Sequence, residues 1–319
     1  MVANIKWGNQ TSISEFILLA FGNHPELQIF LFLLFLVIYV VTMAANILIM
    51  LNCALHTPMY FFLGNLSLLE IFYVSVTVPR LLSNLLLGEK VISLEGCIAQ
   101  LYFFLSLASS ECFLLVAMAY DRYLAICHPL RYPDLMNHRA CTVLSLGSWL
   151  SGFLASFPSI LMLSRLQFCS DNTIQHFFCD LPPLLKLSCT DTSTIETLDF
   201  VAALSVLVPS LLVTVTSYIC IFSTVARIPS VVGKHKAFST CASHLVVVSM
   251  FYATILFMYA RPRAVGTFNL NKLVSVLYTV VAPFLNPIIY SLRNREVKET
   301  LGRVLGSKAN SLVFIVRVK

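Results

Sequence analysis

Long apolar runs alternate with short polar connections along this chain. A helix of roughly 20 mainly apolar residues crosses the hydrocarbon core of a bilayer. Seven such runs lie near 27–51, 59–86, 94–124, 141–163, 197–226, 238–260 and 271–292. Pro79 and Arg80 towards the end of the second leave its boundary loose. Beyond Asn294 the apolar positions Val297, Leu301, Val304 and Leu305 recur at three- and four-residue steps, with Lys298 and Arg303 between them. That is the pattern of a short amphipathic helix lying on a membrane surface. The fold class expected is an all-α membrane protein, a seven-transmembrane helix bundle with a short amphipathic eighth helix. It divides the chain into an extracellular N-terminal tail (1–26), a seven-transmembrane domain (27–292) and a cytoplasmic amphipathic helix and tail (293–319).

Composition agrees. Hydrophobic residues make up 58% of the 319 and charged ones only 11%, where a soluble domain carries about a quarter charged. A soluble protein of this kind would expose large apolar patches, so lipid is the better solvent.

The distribution of Lys and Arg orients the bundle. With the N-terminus outside, the cytoplasmic segments hold 13 of the 21 basic residues against the acids Asp121, Asp134, Glu296 and Glu299, a net +9. The outer segments come to −1, and Glu70 and Glu111 fall inside the membrane, which accounts for the chain's net +6. The positive balance needs no nucleic acid. The expected location is the plasma membrane, multi-pass, with the C-terminus cytoplasmic. Phe16–Ala20 is too short for the apolar core of a cleaved signal, so the first span is expected to act as an uncleaved insertion signal. Asn9-Gln10-Thr11 is a glycosylation sequon in the outer tail. Asn65-Leu66-Ser67 matches too, but inside a span, and is read as chance.

Of ten cysteines, Cys97, Cys169, Cys179 and Cys189 fall on the oxidising side, where three pairings are open. Cys53, Cys112, Cys127, Cys141, Cys220 and Cys241 lie in spans or at their inner ends and are expected to stay reduced and packed. The connection from about Ser164 to Glu196 is long, lies outside and carries three of the outer cysteines. Crosslinking would hold it over the helix ends as a lid.

Polar residues within spans point to function, because each is costly in lipid without a partner. Asn46, Glu70 and Asn286 fall near mid-depth, and Glu111 joins them in a polar cluster that could hold waters, a proton or Na⁺. Asn286-Pro287 would break the seventh helix and make a hinge, with Tyr290 one turn below. At the inner end of the third span stands Asp121-Arg122-Tyr123. Asp121 can neutralise Arg122 in a resting state, and release of Arg122 would free five donors at the cytoplasmic mouth for a docking protein.

These residues resemble those of a rhodopsin-like G-protein-coupled receptor, and more narrowly an olfactory receptor of the large tetrapod class. The receptor-wide marks are Asn46, Asp121-Arg122-Tyr123, Trp149 and Asn286-Pro287-Ile288-Ile289-Tyr290. The olfactory marks are Leu55-His56-Thr57-Pro58-Met59-Tyr60, Met118-Ala119-Tyr120-Asp121-Arg122-Tyr123, Ser217-Tyr218, Lys236-Ala237-Phe238-Ser239-Thr240-Cys241 and Pro283-Phe284-Leu285-Asn286-Pro287. The resemblance implies a Cys97–Cys179 bridge from the third span to the lid and a Cys169–Cys189 bridge within it. It also implies a small-molecule odorant as ligand, a stimulatory heterotrimeric G protein as partner, and a rise in cyclic AMP. Glu70 stands where the family more often has aspartate, and Ala45 and Ala253 where glycine is usual.

Ligands are expected to enter from outside and sit below the lid. At helical spacing below Cys97, the residues Phe104, Leu105, Ala108, Ser109 and Cys112 face the interior. Val206, Ile255, Leu256 and Thr279 are read as further walls, and Tyr259 offers a ring and a hydroxyl. Tyr218, Tyr290 and Arg122 would meet when the sixth helix swings outward at its inner end. A transporter would show paired repeats in two halves, and seven spans without a repeat argue against one. An intramembrane enzyme needs a nucleophile with a base, or metal ligands. His176 and His244 are lone histidines, so no enzyme, cofactor or resident metal is expected, although His176 could join a surface metal site.

Overall fold

The computed structural model describes residues 14–19, 21, 25–52, 57–88, 90–169, 172–259 and 268–293. A short strand, β1 (Glu15–Leu18), precedes α1 (Pro25–Asn52) and α2 (Pro58–Leu87). Strand β2 (Val91–Ser93) leads into α3 (Leu94–Cys127); the short α4 (Tyr132–Leu135) precedes α5 (His138–Leu163). The outer loop carries β3 (Thr173–Ile174) and α6 (Leu181–Leu185). The chain ends in α7 (Ser193–Arg227), α8 (Val231–Tyr259), α9 (Phe268–Val276), a π-helical segment Leu277–Val281, and α10 (Ala282–Arg293). Among the described residues six helical stretches are long and apolar enough to cross a membrane, and a shorter apolar stretch, Cys241–Ile255 in α8, makes the seventh. The fold is a mostly helical seven-transmembrane bundle. The proposed eighth helix, Asn9 and Cys53 lie outside the described residues.

Local chemistry sets the helix ends. The Ser93 hydroxyl accepts from the Gly96 amide at 3.1 Å and caps α3. The Asn137 side chain does the same for α5, from the Ala140 amide at 3.0 Å. Pro58 stands in the first turn of α2, where its missing N–H is harmless. The helix stops at Gly88, whose φ of 66° suits glycine.

The seventh span departs from expectation. Asn286-Pro287 does not interrupt it, since α10 runs through Pro287. The irregular backbone is the π-helical turn Leu277–Val281, one to three turns nearer the outside. Such bulges occur often at functional sites.

Helix α3 is the central post of the bundle, and α5 leans on it through a stripe of small residues. Cys141, Ser145, Ser148, Gly152, Ser156 and Ser159 are all buried at three- and four-residue steps. Without a hydrophobic drive between helices in lipid, close approach of small residues is what makes such contacts favourable. A Cβ on Gly152 would fall 2.5 Å from the Ser110 amide nitrogen and 2.7 Å from the Ser106 carbonyl oxygen, and would overlap the Ser110 hydroxyl. Trp149 Nε1 donates to Asn65 Oδ1 at 3.3 Å, which gives the sequon asparagine in α2 an interior role.

The outer end carries a three-stranded sheet of order β2-β1-β3 that the helical pattern does not announce. Strand β1 pairs antiparallel with β2 and parallel with β3. Its alternation puts Phe16 and Leu18 fully inside. Asn84 Nδ2 donates to the Leu18 carbonyl at 3.0 Å and Lys272 Nζ to the Leu19 carbonyl at 2.8 Å. Cys97 is bonded to Cys179 and Cys169 to Cys189. The lid is therefore tied to α3, and its aromatic side chains Phe177 and Phe178 are buried beneath it.

Gly152→Val will press a side chain into α3 backbone and lower the thermal midpoint of the purified protein by an amount matching about 1–3 kcal/mol of overpacking. Gly147→Ala, where an added Cβ meets nothing within 4 Å, will leave it unchanged. Equal behaviour of the two variants in a thermal melt would count against the small-residue seam.

Candidate functional site

Below the lid lies a mainly apolar cavity lined by side chains of several helices, the general form of a small-molecule site. Helix α3 supplies Phe104, Leu105, Ala108, Ser109, Glu111 and Cys112. Helix α7 adds Ala203, Val206 and Leu207, and α8 adds Val247, Phe251, Thr254 and Ile255. Tyr73 of α2 and the seventh-span residues Tyr278, Ala282, Pro283 and Asn286 complete it. Seven of the expected wall residues are thus brought together: Phe104, Leu105, Ala108, Ser109, Cys112, Val206 and Ile255. Thr279 stands apart. It is fully buried, and its hydroxyl donates to the Ser275 carbonyl at 2.7 Å. The π-helical turn shifts the facing of residues in this stretch, so Tyr278 takes the wall position instead. The side chains of Leu256 and Tyr259 lie outside the described residues.

Hydrogen bonds tie the wall to its supports. The Cys112 thiol donates to the Ser210 hydroxyl at 3.0 Å, which also accepts from the Tyr252 hydroxyl at 2.8 Å. Sulfur, serine and tyrosine so link α3, α7 and α8. The Tyr278 hydroxyl donates to Ser275 Oγ at 3.0 Å, and His176 Nε2 meets the same oxygen at 3.0 Å. A lid histidine is thereby joined to the cavity wall. Burial, aided by the Lys272 charge, lowers the His176 pKa from 6.5 to about 4, so the ring is neutral at physiological pH.

Beneath the cavity the polar cluster has closed. Asn286 Nδ2 donates to Glu70 Oε1 at 2.8 Å and approaches Glu111 Oε1 at 3.5 Å. Asn46 donates to the Thr42 carbonyl at 3.1 Å and leaves its Oδ1 buried without a partner among the described residues. Two carboxyl groups and an amide oxygen are hard donors of the kind a proton, a water or a small cation would use. No group of three or more His, Cys, Asp or Glu side chains among the described residues is placed to hold a metal ion.

At the inner end Arg122 Nε donates to Asp121 Oδ2 at 3.0 Å, and a second guanidinium nitrogen contacts the same oxygen. Both residues are buried. Asp121 Oδ1 accepts from the Tyr132 hydroxyl at 2.8 Å. Sequence reading overlooked Tyr132, because nothing in the spacing says that α4 folds back under α3. The Tyr123 hydroxyl pairs with His128 at 3.0 Å. Tyr218 bonds to His244 Nδ1 at 2.6 Å, and the Tyr290 hydroxyl is buried without a partner among the described residues. Arg122 and Tyr218 are thus engaged with Asp121 and His244, and among the described residues no hydrogen bond joins Arg122, Tyr218 and Tyr290 to one another. Leu130, in the loop just beyond α3, is 95% exposed.

A sequence profile described as olfactory receptor matches residues 31–308. Olfactory receptor 6B9 of Mus musculus is 52% identical over 309 residues, covering 95% of this chain and 98% of the relative. Olfactory receptor 6B1 of Homo sapiens is 52% identical over 306 residues, 95% of this chain and 98% of that one. Olfactory receptor 6A2 of Homo sapiens is 52% identical over 307 residues, with 93% and 94% covered.

Because His176 is held neutral, an unfolded lid takes up a proton that the folded one refuses. Its share of stability is complete above about pH 6.5 and is lost as pH falls towards 4. Full loss is of order 3 kcal/mol. His176→Gln will lower the thermal midpoint at pH 7.5 and flatten its decline between pH 6.5 and 4.5; parallel pH profiles for the two proteins would rule the effect out.

Proposed function

Since the chain belongs to the olfactory receptor family, we propose that small volatile organic molecules occupy the cavity beneath the lid and favour a state that activates a stimulatory heterotrimeric G protein of the olfactory type, raising cyclic AMP. As a member of this family it is an odorant receptor and a multi-pass membrane protein, not an enzyme. The observation that carries the finer reading is the stacking of three sites along α3. The apolar cavity, the Asn286 cluster and the Asp121–Arg122 pair all use side chains of this one helix.

A ligand moves such a bundle only by binding the active form more tightly than the resting one. Cavity residues come from α2, α3, α7, α8 and the seventh span, so a bound molecule bears directly on the helix that carries Arg122 and on its neighbours. Outward movement of α8 would part Tyr218 from His244. Tyr218, Tyr290 and Arg122 would then be free to meet, and Leu130 would present an apolar contact to the G protein. The closed pair and the exposed leucine support this sequence of events.

The remaining expectations belong to the same reading. Residues 1–26 form the extracellular tail, glycosylated at Asn9; residues 27–292 form the receptor domain; residues 293–319 form the cytoplasmic helix and tail. The basic excess on the inner side supports this orientation at the plasma membrane.

Arg122→Ala will abolish the cyclic AMP response in cells challenged with an odorant panel while surface expression stays measurable. Signalling retained by that variant at normal expression would remove Arg122 from the mechanism. A wild-type receptor silent to the whole panel, with a co-expressed olfactory-type G protein, would count against the proposed coupling.

A further inference from the structure

The floor of the cavity carries a carboxyl group that an oily pocket does not need. Glu111 lines it three residues beyond Ala108, on the same face of α3. Ala108 is small, so the end of a ligand can pass it and reach Glu111. The Asn286 amide serves mainly Glu70, at 2.8 Å; its 3.5 Å approach to Glu111 lies at the weak limit of a hydrogen bond. A carboxylate has about four acceptor positions, so Glu111 keeps most of its accepting capacity.

The other polar groups on the wall are committed or indifferent. Thr254 donates back to its own helix, at 3.0 Å to Met250 and 2.8 Å to Phe251. Cys112 is engaged with Ser210 and Tyr252, and Tyr278 with Ser275. The hydroxyls of Tyr73 and Ser109 can face a donor or an acceptor equally. Among the described lining residues Glu111 and the Asn286 amide oxygen are the acceptors that remain, and Glu111 offers the greater capacity. With Glu111 ionised, a donor head meets an acceptor there, whereas a carbonyl head brings two acceptors together.

We infer that Glu111 selects ligands ending in a hydrogen-bond donor, a primary alcohol or amine, seated head down with the carbon body between Phe104, Val206 and Phe251. This rests on the cavity being the odorant site and adds the class of odorant it takes. Charge-assisted bonds are the stronger ones, so amines should gain more than alcohols.

The test uses the full-length purified receptor and three probes of one chain length: 1-hexanol, hexylamine and 2-hexanone. The half-saturating concentration for raising the thermal midpoint is measured for each. The alcohol and the amine are expected to saturate about tenfold or more below the ketone, the size of one hydrogen bond. Glu111→Leu should bring all three within about threefold of one another. Ala108→Phe, which blocks the way to the floor, should weaken the alcohol and amine most, and it serves if the Leu variant fails to fold. Equal saturation by the three probes in the wild type, a preference that survives either variant, or no saturable shift with the alcohol or the amine overturns the inference. A donor probe that saturates the thermal shift yet raises no cyclic AMP leaves the selectivity standing and counts against the signalling reading instead.

Discussion

Hydrocarbon offers no partner to a polar side chain, and Asn286 is where this constraint falls hardest. Its amide bonds Glu70 on α2 and reaches Glu111 on α3, so one side chain of α10 ties three helices together at mid-depth. Each of these groups would be costly in lipid alone. Together they form a joint that keeps the seventh span against the second and third. The cavity is held above that joint and the Arg122 pair below it, so neither end can rearrange without the middle being disturbed. The Oδ1 of Asn46 is buried there without a partner among the described residues.

Packing around this joint is uneven, and the unevenness has a physical cause. Helix α5 lies tight on α3 because glycine, serine and cysteine let the backbones approach. Helix α7 turns much of its surface to lipid, with Phe200, Val201, Leu212 and Ile219 exposed. It is joined to α3 and α8 through the Cys112–Ser210–Tyr252 contacts. A few polar contacts are easier to exchange than an interlocked backbone seam. The side of the bundle that touches ligand is thus built from replaceable bonds, and the opposite side from fixed ones.

Much of this was legible in the residues. The seven spans follow from apolar run length, which backbone satisfaction in lipid makes a strong signal. Phe104, Ala108 and Cys112 follow from helical spacing along α3, and the Asp121–Arg122 pairing from adjacency. What escaped depends on contacts distant in sequence or on irregular backbone. Strand β1 is too short to show a period, and its partners lie far along the chain. The π-helical turn adds no residue type that marks it, yet it moves Thr279 off the wall and brings Tyr278 on. Tyr132 and His244 carry polar chemistry in stretches where spacing gives no direction.

Strand β1 also bears on how the molecule is made. Residues 15–18 need residues 91–93 on one side and 173–174 on the other. A ribosome delivers those partners in turn, the last only after four spans have emerged. Until then Phe16 and Leu18 lack the neighbours that bury them in the finished fold. Completion of the outer surface is a late event in biogenesis, and a chain stalled early would present that end to the chaperones that survey unfinished membrane proteins.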